Sequence, residues 1–199
     1  MNYLAHALLA GDDDGLLIGG LIADVHRRAG GGRPTPAVRA GIRLHHELDR
    51  FADGHALCRR SAARLQPACG RYAGVLVDVV YDHLLAADFH RLAGRRLPAF
   101  VAEVNARLQA ARDRVPDGCR DITRDVSWLA DYAEIDGVRR SLARLARRSR
   151  FAEGFLGVLD VLAAERDALA TEFESFFADA RGYARERRGL LRQPQLGRA

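Results

Sequence analysis

Eleven residues constrain this chain more than any others: Val75-Leu76-Val77-Asp78-Val79-Val80-Tyr81-Asp82-His83-Leu84-Leu85. A helix this apolar has to bury most of its circumference. It nevertheless carries Asp78 and Asp82 one helical turn apart, with His83 directly beside the second acid. Carboxylates in such a setting are costly unless they are hydrogen-bonded, paired or bound to a cation, and two of them one turn apart repel as well. Any fold containing this helix must therefore bring partners to it from elsewhere in the chain.

The remaining apolar residues also recur mostly at helical spacing, and strand-like alternation bounded by turn signals is scarce. The expectation is an all-α class, a single-domain helical bundle. Helices are expected over 2–9, from Asp14 to about Arg28, from Pro36 to Asp53, over 55–65 before Pro67, from about Tyr72 to Leu92, and over 99–114, 120–132, 135–149, 152–163 and 165–187. Ala29-Gly30-Gly31-Gly32-Arg33-Pro34 reads as a break, because three glycines and a proline do not propagate a helix. A chain of 199 residues with 48% hydrophobic and 29% charged content fits one domain, taken as 1–190, followed by a frayed tail at 191–199. No apolar run reaches the roughly 18 residues of a membrane span, and Asp12-Asp13-Asp14 precedes the first apolar stretch where a secretory signal would carry positive charge, so the expected location is cytoplasmic.

Polar residues in apolar helical contexts are the candidate chemistry. In Arg43-Leu44-His45-His46-Glu47-Leu48-Asp49-Arg50-Phe51-Ala52-Asp53, residues His45, Asp49 and Asp53 form a stripe at four-residue spacing. His46 points about 100° around the helix from His45. His6 lies in Met1-Asn2-Tyr3-Leu4-Ala5-His6-Ala7-Leu8-Leu9, and Asp24 in Leu21-Ile22-Ala23-Asp24-Val25. Imidazole and carboxylate donors together suit manganese, iron, zinc or magnesium, and an oxygen-rich balance favours manganese or magnesium. Cys58, Cys69 and Cys119 match neither a disulfide framework nor a thiolate zinc pair. The Glu-x-x-His pairs of di-iron bundles are absent. Against this stands the plain reading, in which any one buried His or Asp is a satisfied core group.

Taken in order, Met1 to His6, Gly19-Gly20-Leu21-Ile22-Ala23-Asp24, Gly41-Ile42-Arg43-Leu44-His45 through Asp49 to Asp53, and Asp78-Val79-Val80-Tyr81-Asp82-His83 resemble the acyl carrier protein phosphodiesterase family. The likeness runs from residue 1 to about 90, and the later helices are compatible in length. The resemblance implies a divergent HD-type helical phosphohydrolase that removes 4′-phosphopantetheine from holo acyl carrier protein with manganese, magnesium and iron being alternatives. It implies a metal site drawn from Asp24, His45, Asp82, His83, Asp49 and Asp78, with Asp53 in reserve, and catalytic roles for Asp24, His83 and His6. The chain departs from the family pattern at Gly20, where Asn is common, at Val25, where an aromatic is common, and at His46, where Arg is common.

The expected partner is an acidic carrier protein, and the chain has the charge for it: formal net charge is +5, and all 31 basic residues are arginine. Two docking surfaces are expected, Arg27 and Arg28 near Asp24, and a helical face with Arg140, Arg144, Arg147 and Arg148. The alternatives are an HD-type hydrolase of nucleotides or another small phosphodiester, and a non-catalytic arginine-rich helical module. No Gly-rich phosphate loop supports the first, and the second leaves the buried Asp82-His83 pair unexplained. Neither nucleic acid nor membrane is an expected partner, since no helix-turn-helix signal is present.

Overall fold

The computed structural model describes residues 1–29, 32–146 and 155–192. Among these the chain forms eleven α-helices and short 3-10 turns, with no strand, as the all-α expectation requires. They are α1 (Tyr3–Leu9), α2 (Asp14–Ala29), α3 (Pro36–Gly54), α4 (Ala56–Cys69), α5 (Ala73–Ala87), α6 (Phe89–Ala93), α7 (Leu97–Ala110), α8 (Arg120–Arg124), α9 (Ile135–Ala146), α10 (Gly157–Ala164) and α11 (Arg166–Arg192). None is long and apolar enough to cross a membrane.

The apolar helix of the sequence is α5, and it is enclosed by α1, α4, α9, α11 and the 3-10 turn Ser127–Ala133. Leu76, Val79, Val80 and Leu85 are each 1% exposed or less. Burying each contributes roughly 1.5–3 kcal/mol, which offsets the cost of taking the polar groups of this helix out of water. A charged clamp holds the surround together. Buried Glu172 of α11 accepts from the Arg64 guanidinium at 3.0 Å and from Ser61 Oγ at 2.6 Å, both on α4, and Ser61 Oγ lies 2.9 Å from the Tyr81 hydroxyl on α5.

Helices α2 and α3 approach closely because glycine lines their seam. A Cβ on Gly19 would stand 2.3 Å from the Val38 carbonyl oxygen, and one on Gly41 2.5 Å from the Gly15 carbonyl oxygen. The contact lets backbone meet backbone and sets the C-terminal half of α2 against the His45 segment of α3. Thr35 starts α3, its Oγ1 accepting from the Val38 N–H at 3.3 Å with Pro36 in the first turn.

Several boundaries differ from the sequence expectation, each for a local reason. Helix α4 does not stop before Pro67 but runs on to Cys69. Pro67 sits in the last turn, where its missing N–H deprives a single carbonyl, and Gly70 closes the helix at φ 54°. The helix expected to reach Leu92 divides at Asp88, whose carboxylate pairs with Arg91 at the start of α6. The segment expected over 120–132 gives only five residues of α8. Beyond it Asp125 accepts from the Ser127 N–H at 2.8 Å and Asn105 Oδ1 accepts from the Val126 N–H at 2.8 Å, so side chains take the bonds a helix would have made. Helix α11 continues past the expected domain end at 190 to Arg192. Gly30 and Gly31 of the expected break, Arg147 and Arg148 of the expected basic face, and the tail from Gln193 lie outside the described residues.

Candidate metal centre

Buried His45 of α3 turns its Nδ1 toward the Gly20 carbonyl oxygen of α2 at 2.9 Å. A carbonyl only accepts, so Nδ1 carries a proton and Nε2 is the ring nitrogen whose lone pair is left for a proton or a cation. That atom is buried and has no hydrogen-bond partner. It faces Asp49 Oδ2 at 3.1 Å and Asp24 Oδ1 at 3.8 Å, two acceptors. A lone pair held against carboxylate oxygens requires a proton or a cation between them. A carbonyl that fixes one imidazole nitrogen while the other looks into an acidic recess is the arrangement by which proteins orient a metal-binding histidine.

Asp49 is the centre of the cluster. Its Oδ1 lies 3.1 Å from His6 Nε2 and 3.1 Å from the Met1 ammonium, which in turn lies 3.1 Å from Asp78 Oδ1. Burial acts to raise the Asp49 pKa, but the close approach of His45, the hydrogen bond with His6 and the nearby Met1 charge outweigh it and hold the carboxyl well below the usual range. Burial tends to lower the Met1 ammonium, yet Asp78 and Asp49 together raise it to about 11. Asp78 moves upward, burial being the main cause. The His6 and His45 rings stack with centroids 3.9 Å apart. Desolvation lowers His6 to about 4, so its ring is neutral near pH 7.

His6, His45 and Asp49 each offer a donor atom, and these atoms lie within 4.8 Å of one another; no other such group of three occurs among the described residues. Two imidazoles and a carboxylate, with Asp24 half-exposed at the edge, fit a divalent cation of the manganese, iron, zinc or magnesium kind.

The profile of the family described as Acyl carrier protein phosphodiesterase matches residues 1–180. A Serratia proteamaculans protein of that name is 29% identical over 191 residues, covering 94% of this chain and 99% of that protein. One from Photorhabdus laumondii is 30% identical over 152 residues, covering 74% of this chain and 77% of its own length. One from Enterobacter sp. is 29% identical over 185 residues, covering 89% of this chain and 94% of its own length. The chain belongs to the acyl carrier protein phosphodiesterase family. Membership makes it a phosphodiesterase. No solved structure gives a significant match.

Within this family member, the residues expected at the site separate into three sets. His45, Asp49 and His6 come together, and Asp24 borders them. Asp78 reaches the same Met1 nitrogen as Asp49. Asp82 and His83 turn elsewhere. Both Asp82 oxygens are engaged by the first turn of α1, accepting from the Leu4 N–H at 2.8 Å and the Ala5 N–H at 3.1 Å. Asn2 makes no side-chain cap there, so Asp82 caps α1 from a distant helix. His83 donates Nδ1–H to the Tyr132 carbonyl at 2.8 Å, and desolvation lowers its pKa. Asp82 thus positions His6 by fixing the helix that carries it.

Asp53 is exposed and lines a separate groove with Asp78. His46 meets the His45 ring edge-on, with centroids 5.4 Å apart. Arg27 and Arg28 are exposed in the last turn of α2, near Asp24. Arg140 is drawn to Asp131 at 3.2 Å, which neutralises part of the expected α9 face, while Arg144 is exposed. Sequence reasoning missed the Met1 ammonium, the Gly20 carbonyl and the Tyr132 carbonyl, because main-chain groups leave no signature in residue type.

Proposed function

We propose that this chain hydrolyses the phosphodiester between 4′-phosphopantetheine and a serine of holo acyl carrier protein, in a reaction that depends on a divalent cation, manganese being the preferred ion. The observation that carries the reading is the buried His45 Nε2, deprived of a hydrogen bond and turned toward Asp49 and Asp24. His45 and Asp49 would hold the ion, with His6 and Asp24 as further donors. Bound there, a divalent cation polarises a phosphoryl oxygen and acidifies water.

The chain's own residues account for the remaining requirements. Asp24, at the solvent edge, accepts the proton of the attacking water as the water oxygen bonds to phosphorus and the bond from phosphorus to the serine oxygen breaks, the departing serine oxygen taking its proton from solvent water at that edge. His6, neutral near pH 7, has no proton to spare for the leaving serine and instead steadies Asp49 from α1. Arg27 and Arg28 offer an acidic carrier protein a positive contact beside the site, a role the partly neutralised α9 face fills less well.

The reading is tested by incubating the protein with holo carrier protein, after chelation and after restoring manganese, and following intact mass. Loss of the arm only with metal supports it. Cleavage of nucleotide diesters with none of holo carrier protein would replace it.

A further inference from the structure

Arg181, Arg185 and Arg188 follow one another at four- and three-residue spacing on one face of α11 and line a cavity of about 140 Å³ against the ends of α1 and α6. None of the lining residues belongs to the candidate metal centre, and none is a carboxylate. A water molecule needs roughly 10–15 Å³ of such space, so a tetrahedral oxyanion has room here. We propose that this cavity is a phosphate site, which takes orthophosphate or the phosphate group of a monoester. The site stands independently of the reaction proposed above.

Two of the guanidiniums are anchored by main chain. Arg188 donates from Nη1 to the Leu9 carbonyl at 2.5 Å, and Arg181 from Nη1 to the Leu92 carbonyl at 2.8 Å. Such a bond uses one of a guanidinium's five N–H groups and fixes the fork in place. Gly11, at φ 67°, makes room for Arg188, since a Cβ there would stand 3.3 Å from its Cζ and Nε. Arg185 is uncommitted among the described residues. The carbonyl ends of α1 and α6 oppose an anion, each by at most about half a negative charge. Three guanidiniums outweigh them and leave a surplus of about two positive charges, the complement of a phosphate dianion. Asp14 is held by Arg107, and Asp88 and Glu174 by Arg91, so these acids are paired elsewhere. Planar guanidinium forks match the several oxygens of a phosphate group, where a carboxylate offers only two. Leu8, Leu9 and Ala93 complete the wall and keep water from one side of the ion, which strengthens its attraction to the arginines.

Arg185→Gln is the decisive variant, because the side chain is exposed and its loss should leave the melting temperature unchanged. The probes are orthophosphate and, separately, 4′-phosphopantetheine, titrated calorimetrically in phosphate-free buffer into chelated protein, so that no cation competes for the anion. Wild type should bind, with affinity lower by roughly tenfold in Arg185→Gln and in Arg181→Gln and unchanged in Arg27→Gln, which lies by the candidate metal centre. Orthophosphate binding that weakens in the two α11 variants supports the site and makes the free ion a sufficient ligand. Binding of the ester alone, weakened in the same variants, supports the site and makes a monoester its ligand. Absence of binding of either probe to the wild type, or equal affinity in wild type and Arg185→Gln, would overturn the proposal. A loss confined to Arg27→Gln would likewise overturn it and move the anion to the candidate metal centre.

Discussion

Asp82→Asn separates the electrostatic cost of the buried acid from its capping role. Asp82 is 0% exposed, and burial raises its pKa from 3.8 to about 7 even though the Leu4 and Ala5 N–H groups pull in the opposite direction. The folded state therefore keeps a proton that the unfolded chain has already lost between these two values. Stability from this group is fully present below pH 3.8 and is lost as pH rises through 7. At 1.36 kcal/mol per unit, the wild type loses about 3 kcal/mol from this source between pH 5 and pH 8. Asparagine does not titrate and removes that slope. It also presents one NH2 to a backbone N–H, a loss of roughly 1–3 kcal/mol that does not vary with pH. Urea unfolding followed by circular dichroism should show Asp82→Asn gaining on the wild type by about 3 kcal/mol from pH 5 to pH 8. Parallel pH profiles for the two proteins would refute a neutral, buried Asp82.

Other perturbations probe the frame and the docking face. Gly19→Ala forces a methyl against the Val38 carbonyl and the Ile42 nitrogen, and should destabilise by roughly 1–3 kcal/mol, read as a drop of about 2–12 °C in melting temperature. Glu172→Ala removes the buried acceptor of Ser61 while Arg64 keeps Glu165, and should cost about 1–3 kcal/mol, again measured by thermal unfolding; a loss under about 0.5 kcal/mol would show the clamp to be dispensable. Charge reversal at Arg27 and Arg28 should raise KM for holo carrier protein and flatten its salt dependence without changing kcat, measured by steady-state kinetics at two ionic strengths.

The sequence made the helical class and the burial of α5 legible, because periodicity and an unbroken apolar run depend only on local spacing. The same spacing placed His45 and Asp49 on one face, and the structure keeps them together. It failed one turn later, where Asp53 faces the groove instead, since the stripe drifts around the helix and α4 intervenes. The Asp82-His83 pair had the strongest chemical signature and drew the most weight, yet its partners are the backbone of α1 and the Tyr132 carbonyl. Such pairings span 78 and 49 residues, and nothing in residue type announces them. His6, unremarkable in its own helix, gains its role only when α1 lays its ring on His45.

The central claim is that a cation held by His45 and Asp49 drives removal of the arm. Its most direct test is the rate of mass loss from holo acyl carrier protein, measured side by side for wild type and Asp49→Asn across a manganese titration. The account predicts saturable, manganese-dependent release of 4′-phosphopantetheine by the wild type and little or none by Asp49→Asn at matched folding. Equal rates in both proteins, or release by the wild type that persists after complete chelation, would contradict it.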